Sequence, residues 1–224
     1  AGGCVNNNES FLNNPQYIFE IDTEKPDEVL LNLDQLGLRY MGKDHLTIGF
    51  YVMRVEDNRK YRLHLIKPKS ASSSYINTRS VFLRTSLDAG RYVVVPSTFD
   101  SNQEGEFMLR IYSENPNNLK ELTKACPTPF LPSLNPFAKY PKCVTSIKVL
   151  NATGLEDLNN RNGVNSYVCI KCENKKVYGR LLKNNPNPEW DTSAIFYRYH
   201  LNQPIIVEVR KENLSIKNSA FFLY

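Results

Sequence analysis

No apolar run in the 224-residue chain approaches the roughly 18 residues that would suggest a membrane-spanning helix. The chain begins at Ala1 rather than Met, and no charged segment leading into an apolar core follows. No secretory leader is therefore visible, and a fragment or a processed product is expected. Helical periodicity is also missing over any long stretch, as are internal repeats and low-complexity tracts. Histidine is scarce, with only His45, His64 and His200. The five cysteines (Cys4, Cys126, Cys143, Cys169, Cys172) are an odd number spread over the whole chain. That does not read as a disulfide framework, and it favours a reducing, cytoplasmic setting.

The composition is that of a globular protein, 41% hydrophobic and 23% charged, long enough for one large or two ordinary domains. Period-two alternation dominates. Tyr17, Phe19 and Ile21 alternate with Glu20 and Asp22, and Val29, Leu31 and Leu33 continue the pattern. Residues 46–56 are apolar on both faces, as in a central strand. Tyr61, Leu63 and Leu65 alternate with Arg62 and His64, and residues 81–85 form another short strand. In residues 92–114 two alternating runs flank a loop rich in Asp, Ser, Asn and Gly, which predicts a β-hairpin. Pro96 should end its strand, because it has no N–H to donate. Composition shifts at Asn115: residues 115–142 hold six prolines, predicting a largely extended interdomain linker with a helical turn or two over 118–125. Beyond it, 147–150, 167–172, 176–182, 194–199 and 205–209 read as strands. The fold class is all-β, with two β-sandwich domains. The divisions are an irregular arm over 1–14, a first domain over 15–114, the linker over 115–142 and a second domain over 143–224.

Few constellations carry chemistry. A nucleophilic cysteine needs a histidine base within hydrogen-bond reach. Cys4 lies in the irregular arm, His64 on a polar strand face and His200 at a strand end, so ordinary structural residues are the better account. Cys169 and Cys172 form a CxxC, but zinc needs a second ligand pair, and no other CxxC or HxxxH exists. On a strand, i and i+3 face opposite ways. The acidic stretch Asp22, Glu24, Asp27, Glu28 could supply carboxylates to a weak calcium site. Lys25 interrupts it, and a solvated, self-repelling loop is the stronger reading.

Charge is uneven. Residues 1–113 hold 13 Lys/Arg and 14 Asp/Glu, whereas 114–224 hold 15 and 9. Lys171, Lys175, Lys176, Arg180 and Lys183 fall close together in the basic half. Lys176 and Arg180 share strand parity, with Tyr178 between them. One sheet face would then be cationic, either an attractor of anionic phospholipid headgroups or an ordinary solvated surface. Nucleic acid is not expected, since no stacking platform or recognition helix accompanies the cluster.

Several ordered motifs carry a family resemblance: Val95-Pro96-Ser97-Thr98-Phe99, Gly105-Glu106-Phe107 running into Leu109-Arg110, Thr47-Ile48-Gly49-Phe50, and Tyr61-Arg62-Leu63-His64. With Ala1-Gly2-Gly3-Cys4 and Asn14-Pro15-Gln16, which look like the junction leaving a protease core, they resemble domain III of the calpain cysteine proteases. Residues 155–168 and Asn187-Pro188-Glu189-Trp190 resemble a C2-type domain. Domain III followed by a C2-type domain, rather than by EF-hands, looks like the atypical calpains of the calpain-5 and calpain-6 type. The resemblance implies a calpain domain III sandwich followed by a C2-type sandwich with about six strands, truncated and with an exposed edge. It implies the non-catalytic regulatory region of an intracellular, calcium-dependent cysteine endopeptidase, possessing no catalytic residues of its own. That region would couple calcium or membrane signals to a protease core in cis, which this chain lacks. Calcium would belong to the parent core and no cofactor to this fragment, with anionic phospholipid as a partner at the membrane periphery. A calpain-like pseudoprotease acting as a scaffold and a free-standing lipid-binding module are the alternatives. Asn160 and Asn165 stand at first-loop positions, and Lys211 and Asn213 at third-loop positions, where calcium-binding C2 domains carry aspartates. A calcium-independent C2-type domain is therefore expected.

Overall fold

The computed structural model describes the chain except for residues 24, 38–41, 43, 129–138, 156–163, 213–217 and 224, and describes only the backbone of 218–223. The chain divides into two compact units. Ala1–Val55 with Lys60–Cys126 form the first, and Glu56–Arg59 with Pro127–Tyr224 the second.

The first unit is built from β1 (Tyr17–Ile21), β2 (Asp27–Gln35), β3 (Thr47–Val55), β4 (Lys69–Ser72), β5 (Ile76–Asn77), β6 (Ser80–Leu87), β7 (Gly90–Thr98), β8 (Phe107–Tyr112) and β9 (Lys120–Glu121). One sheet runs β4-β3-β7-β1-β9, with β5 also on β3, and the other runs β6-β2-β8. Inward residues of both sheets form one core, including Phe19, Val29, Leu31, Leu33, Phe50, Val52 and Val94. The larger sheet is buried on its second face too. Ile18, Met53, Val55, Val93 and Val95 pack there with Phe11, Leu63 and Leu122. This is why β3 and β7 read as continuous apolar runs rather than alternating ones.

Four local expectations are corrected. The runs within 92–114 are not a hairpin: β7 pairs with β1 and β3, whereas β8 pairs with β2 in the opposite sheet. Period two fixes which face a residue takes, not which strand it pairs with. Pro96 sits inside β7 opposite Phe50. The Phe50 N–H and C=O bond Ser73 instead, so Pro96 presents its nitrogen toward the β1 side, where pairing has already ended at Val94. Residues 61–64 form no strand; Gln16 fixes them through Leu63, its Oε1 accepting the Leu63 N–H at 2.7 Å. Residues 118–125 are not helical, since β9 lies among them and pairs with β1.

Three of the quoted motifs meet around Tyr75. A Cβ at Gly49 would lie 2.8 Å from the Tyr75 ring, so glycine there permits the ring to lie against the β3 backbone. The Tyr75 hydroxyl hydrogen-bonds the Ser97 hydroxyl at 2.7 Å. Its ring meets Phe99 edge-on, with centroids 5.8 Å apart, and the Phe99 carbonyl accepts the Cys4 N–H.

The second unit comprises β10 (Cys143–Asn151), β11 (Val164–Cys172), β12 (Lys175–Tyr178), β13 (Leu182–Asn185), β14 (Glu189–Arg198), β15 (Ile205–Lys211) and β16 (Asn218–Leu223). These are seven strands where about six were expected. β10 pairs with β14, while β12-β11-β15-β16 form a second sheet with β13 also on β11. Val168, Ile170, Cys172, Val177, Trp190, Phe196, Ile205 and Val207 form the core between them. Trp190 is held by its indole N–H, which donates to the Ser166 carbonyl at 3.1 Å. Within this unit Glu56 and Arg59 make a buried ion pair at 2.6 Å, and the Asn58 amide exchanges two hydrogen bonds with the Ile195 backbone.

The expected strand 176–182 is split into β12 and β13 at Gly179. A Cβ there would lie 2.2 Å from the Thr192 hydroxyl oxygen. Among the described residues of 115–142, those up to Cys126 belong to the first unit, with Leu122 buried in its core.

Candidate functional site

On β11 the residues alternate between the core and the outside of the sheet. Val168, Ile170 and Cys172 point to the core, which leaves Tyr167, Cys169 and Lys171 on the outer face. Register carries the pattern sideways. Lys176 lies opposite Lys171 and Tyr178 opposite Cys169. On the other flank Ile206, Glu208 and Arg210 lie opposite Lys171, Cys169 and Tyr167. The outer face of β12-β11-β15 therefore carries three cations and one carboxylate.

Glu208 sits between two of those cations. Lys171 donates to one of its oxygens. Arg210 donates to the other through two guanidinium nitrogens, at 2.8 and 2.7 Å. The Tyr167 ring lies 6.3 Å from that of Tyr178. The hydrogen bond from Lys171 is the main force holding the Glu208 carboxyl below the ordinary glutamate range. The hydrogen bond that Arg210 donates to Glu208 raises its already high pKa. Lys176 is exposed and has no ion-pair partner among the described residues.

The five cations that fall close together in the sequence are spread over different faces and strands. Lys171 and Lys176 do share it, but Lys171 is matched by Glu208. Lys175 lies opposite the core residue Cys172, at the tip of the hairpin. Arg180 lies beyond the end of β12, so the shared strand parity inferred for it with Lys176 does not hold. Lys183 is carried by β13, whose partners on β11 are Val164 and Ser166, at the far end from Lys171. Glu208 and Arg210 went unnoticed in the sequence. Their signal was the alternation of Val207 and Val209 with Glu208 and Arg210, but only the register shows that they meet Lys171.

The other candidates are dispersed. Cys169 and Cys172 lie on opposite faces of β11, both are buried, and burial pushes both thiols up from their ordinary pKa. The Cys4 sulfur accepts from Asn7, and the His64 ring bonds the Ala125 carbonyl. In the acidic stretch Asp27 is buried and Glu28 exposed, on opposite faces of β2, and Glu28 pairs with Arg84. Asp22 is exposed, and Glu24 lies outside the described residues. Among the described residues no group of three His, Cys, Asp or Glu side chains is placed to hold a metal ion. At the expected C2 loop positions, Asn165 donates to Glu212 and accepts from the Asn184 N–H. Asn160 and Asn213 lie outside the described residues. No helix among the described residues is long and apolar enough to cross a membrane.

Fold and site define a tandem of β-sandwich domains, the second bearing a cationic outer sheet face. Comparison with known proteins agrees. The family described as calpain large subunit, domain III, matches residues 1–112, and the C2 domain family matches residues 143–222. Calpain-5 of Mus musculus is 45% identical over 214 residues, 93% of this chain and 32% of the relative. Calpain-5 of Caenorhabditis elegans is 33% identical over the same shares. Calpain-A of Drosophila melanogaster is 41% identical over 54% of this chain and 16% of the relative. The chain belongs to the calpain family, and it carries that family's domain III and a C2 domain. It spans about a third (32%) of the length of the calpain-5 relatives it matches.

Proposed function

We propose that this chain is the regulatory part of a calpain-like cysteine endopeptidase, whose C2 domain binds anionic phospholipid without calcium. The protease core would be supplied in cis, calcium would act on that core, and the regulatory region would bring the enzyme to the membrane periphery. The observation that carries the reading is the outer face of β12-β11-β15, where Lys171, Lys176 and Arg210 outnumber Glu208. Each cation near an anionic surface contributes about 1 kcal/mol of attraction, falling off within a Debye length. Lys175, Arg180 and Lys183 extend the positive potential to the hairpin tip and to β13.

Calcium independence rests on residue type. A hard cation needs several anionic or carbonyl oxygens in convergence, whereas Lys211 brings a positive charge and Asn165 is engaged with Glu212 and Asn184. The test is sedimentation of the chain with phosphatidylcholine vesicles with and without phosphatidylserine, in the presence of a calcium chelator. Binding that requires phosphatidylserine and weakens in the Lys175→Ala/Lys176→Ala/Arg180→Ala variant is expected. Equal binding by that variant removes the lipid reading.

A further inference from the structure

We propose that Glu208 is a built-in counter-anion that restrains membrane binding by occupying the cations an anionic phospholipid headgroup would otherwise engage. The proposal rests on the lipid reading of the C2 domain and adds the residue that sets its strength. Lys171 and Arg210 reach the Glu208 carboxylate from different strands and take separate oxygens. That is the arrangement in which two cations would grip a phosphate: ammonium on one oxygen, guanidinium fork on another. Glu208 is only 17% exposed and Lys171 24%, and Arg210 is 31% exposed, so the carboxylate is set among its partners rather than on a free surface arm. Cys169, opposite Glu208 on β11, is fully buried.

The occupant is a phospholipid headgroup held in a bilayer, and charge complementarity argues for it. Lys176 faces outward opposite Lys171, while Lys175 and Arg180 stand exposed on the same hairpin and just beyond it. A single phosphate could use the Lys171–Arg210 pair, but only an extended anionic surface would engage Lys176 on β12 as well. While Glu208 neutralises two of the cations, the domain holds such a surface through the peripheral ones. Removing the negative charge adds one unit to the net charge of the face and leaves Lys171 and Arg210 without their ionic partner.

Binding of the whole chain to phosphatidylcholine vesicles with and without phosphatidylserine tests this, with a calcium chelator present. Glu208→Gln keeps the shape of the side chain and is expected to tighten binding to phosphatidylserine vesicles about fivefold, with the gain shrinking as salt is added. Lys171→Met is expected to cost less beside an intact Glu208, which already offsets part of its charge, than in the Glu208→Gln background, where it costs about fivefold. Should the Gln variant fold poorly by circular dichroism, the single variants decide: Lys176→Met is expected to weaken binding clearly more than Lys171→Met. Unchanged or weaker binding by Glu208→Gln, or equal losses from Lys171→Met and Lys176→Met, would overturn the proposal. If the Lys175→Ala/Lys176→Ala/Arg180→Ala variant still loses binding in that case, the lipid reading itself survives; if that variant binds as the native chain does, both fall. A Gln variant that gains saturable binding of inorganic phosphate, but no binding to vesicles, would also overturn it, by assigning the cluster to a soluble anion.

Discussion

At the scale of single residues, Tyr75 and Gly49 explain why a short glycine motif sits in a buried strand. The ring lies where a β-carbon at position 49 would stand, 2.8 Å away, and core overpacking costs about 1–3 kcal/mol. Gly49→Ala is expected to lower the free energy of urea unfolding by that amount, and an unchanged midpoint would contradict the packing described. Burial pushes the Tyr75 phenol from 10.0 up to about 12. Because the folded pKa is the higher one, its contribution to stability is complete below pH 10.0 and is lost as pH rises toward about 12. Unfolding followed across that alkaline window should show a steeper fall in stability for the native chain than for Tyr75→Phe. Glu208 has the opposite sign. Its folded pKa lies below the ordinary 4.5, so its contribution is full above 4.5 and is lost as pH falls through the lower folded value.

At the scale of strands, Gly179 separates β12 from β13 and so decides which cations share a face. With a β-carbon at 179 placed 2.2 Å from the Thr192 hydroxyl, the Gly179→Ala substitution is expected to destabilise the second unit by about 1–3 kcal/mol. A thermal melt monitored at Trp190, the chain's one tryptophan, would register it, and an unshifted melt would contradict the packing. The sequence revealed most about strands where both neighbours and the face agree. β2 shows clean alternation because its outer face meets water, and β3 is mostly apolar on both faces because it is covered on both sides. What it concealed was partnership. The runs around Pro96 and Phe107 look like a hairpin until the register sends them to different sheets. Residues 61–64 alternate like a strand, yet they are fixed by a side chain, Gln16, some 47 residues away. The candidate site was half legible for the same reason. Lysines close in sequence were visible, whereas Glu208 meets Lys171 across 37 residues, a juxtaposition only sheet register produces.

At the scale of the molecule, the fold supplies two sandwiches, each with its own core, and no assembled nucleophile among the described residues. The chain incubated with casein and calcium is expected to show no thiol-dependent cleavage, and measurable cleavage would contradict a regulatory role. The charge asymmetry between the halves has a structural meaning in the C2 domain, where cations gather on the outer face of one sheet, and a single carboxylate tempers them. The central claim is that this face binds anionic membrane without calcium. Its most direct test is sedimentation with phosphatidylserine-containing vesicles under chelation, at low and at high salt. The account predicts binding at low salt, with calcium absent, that is released as salt rises. Binding that appears only when calcium is added, or that is indifferent to salt, would contradict it.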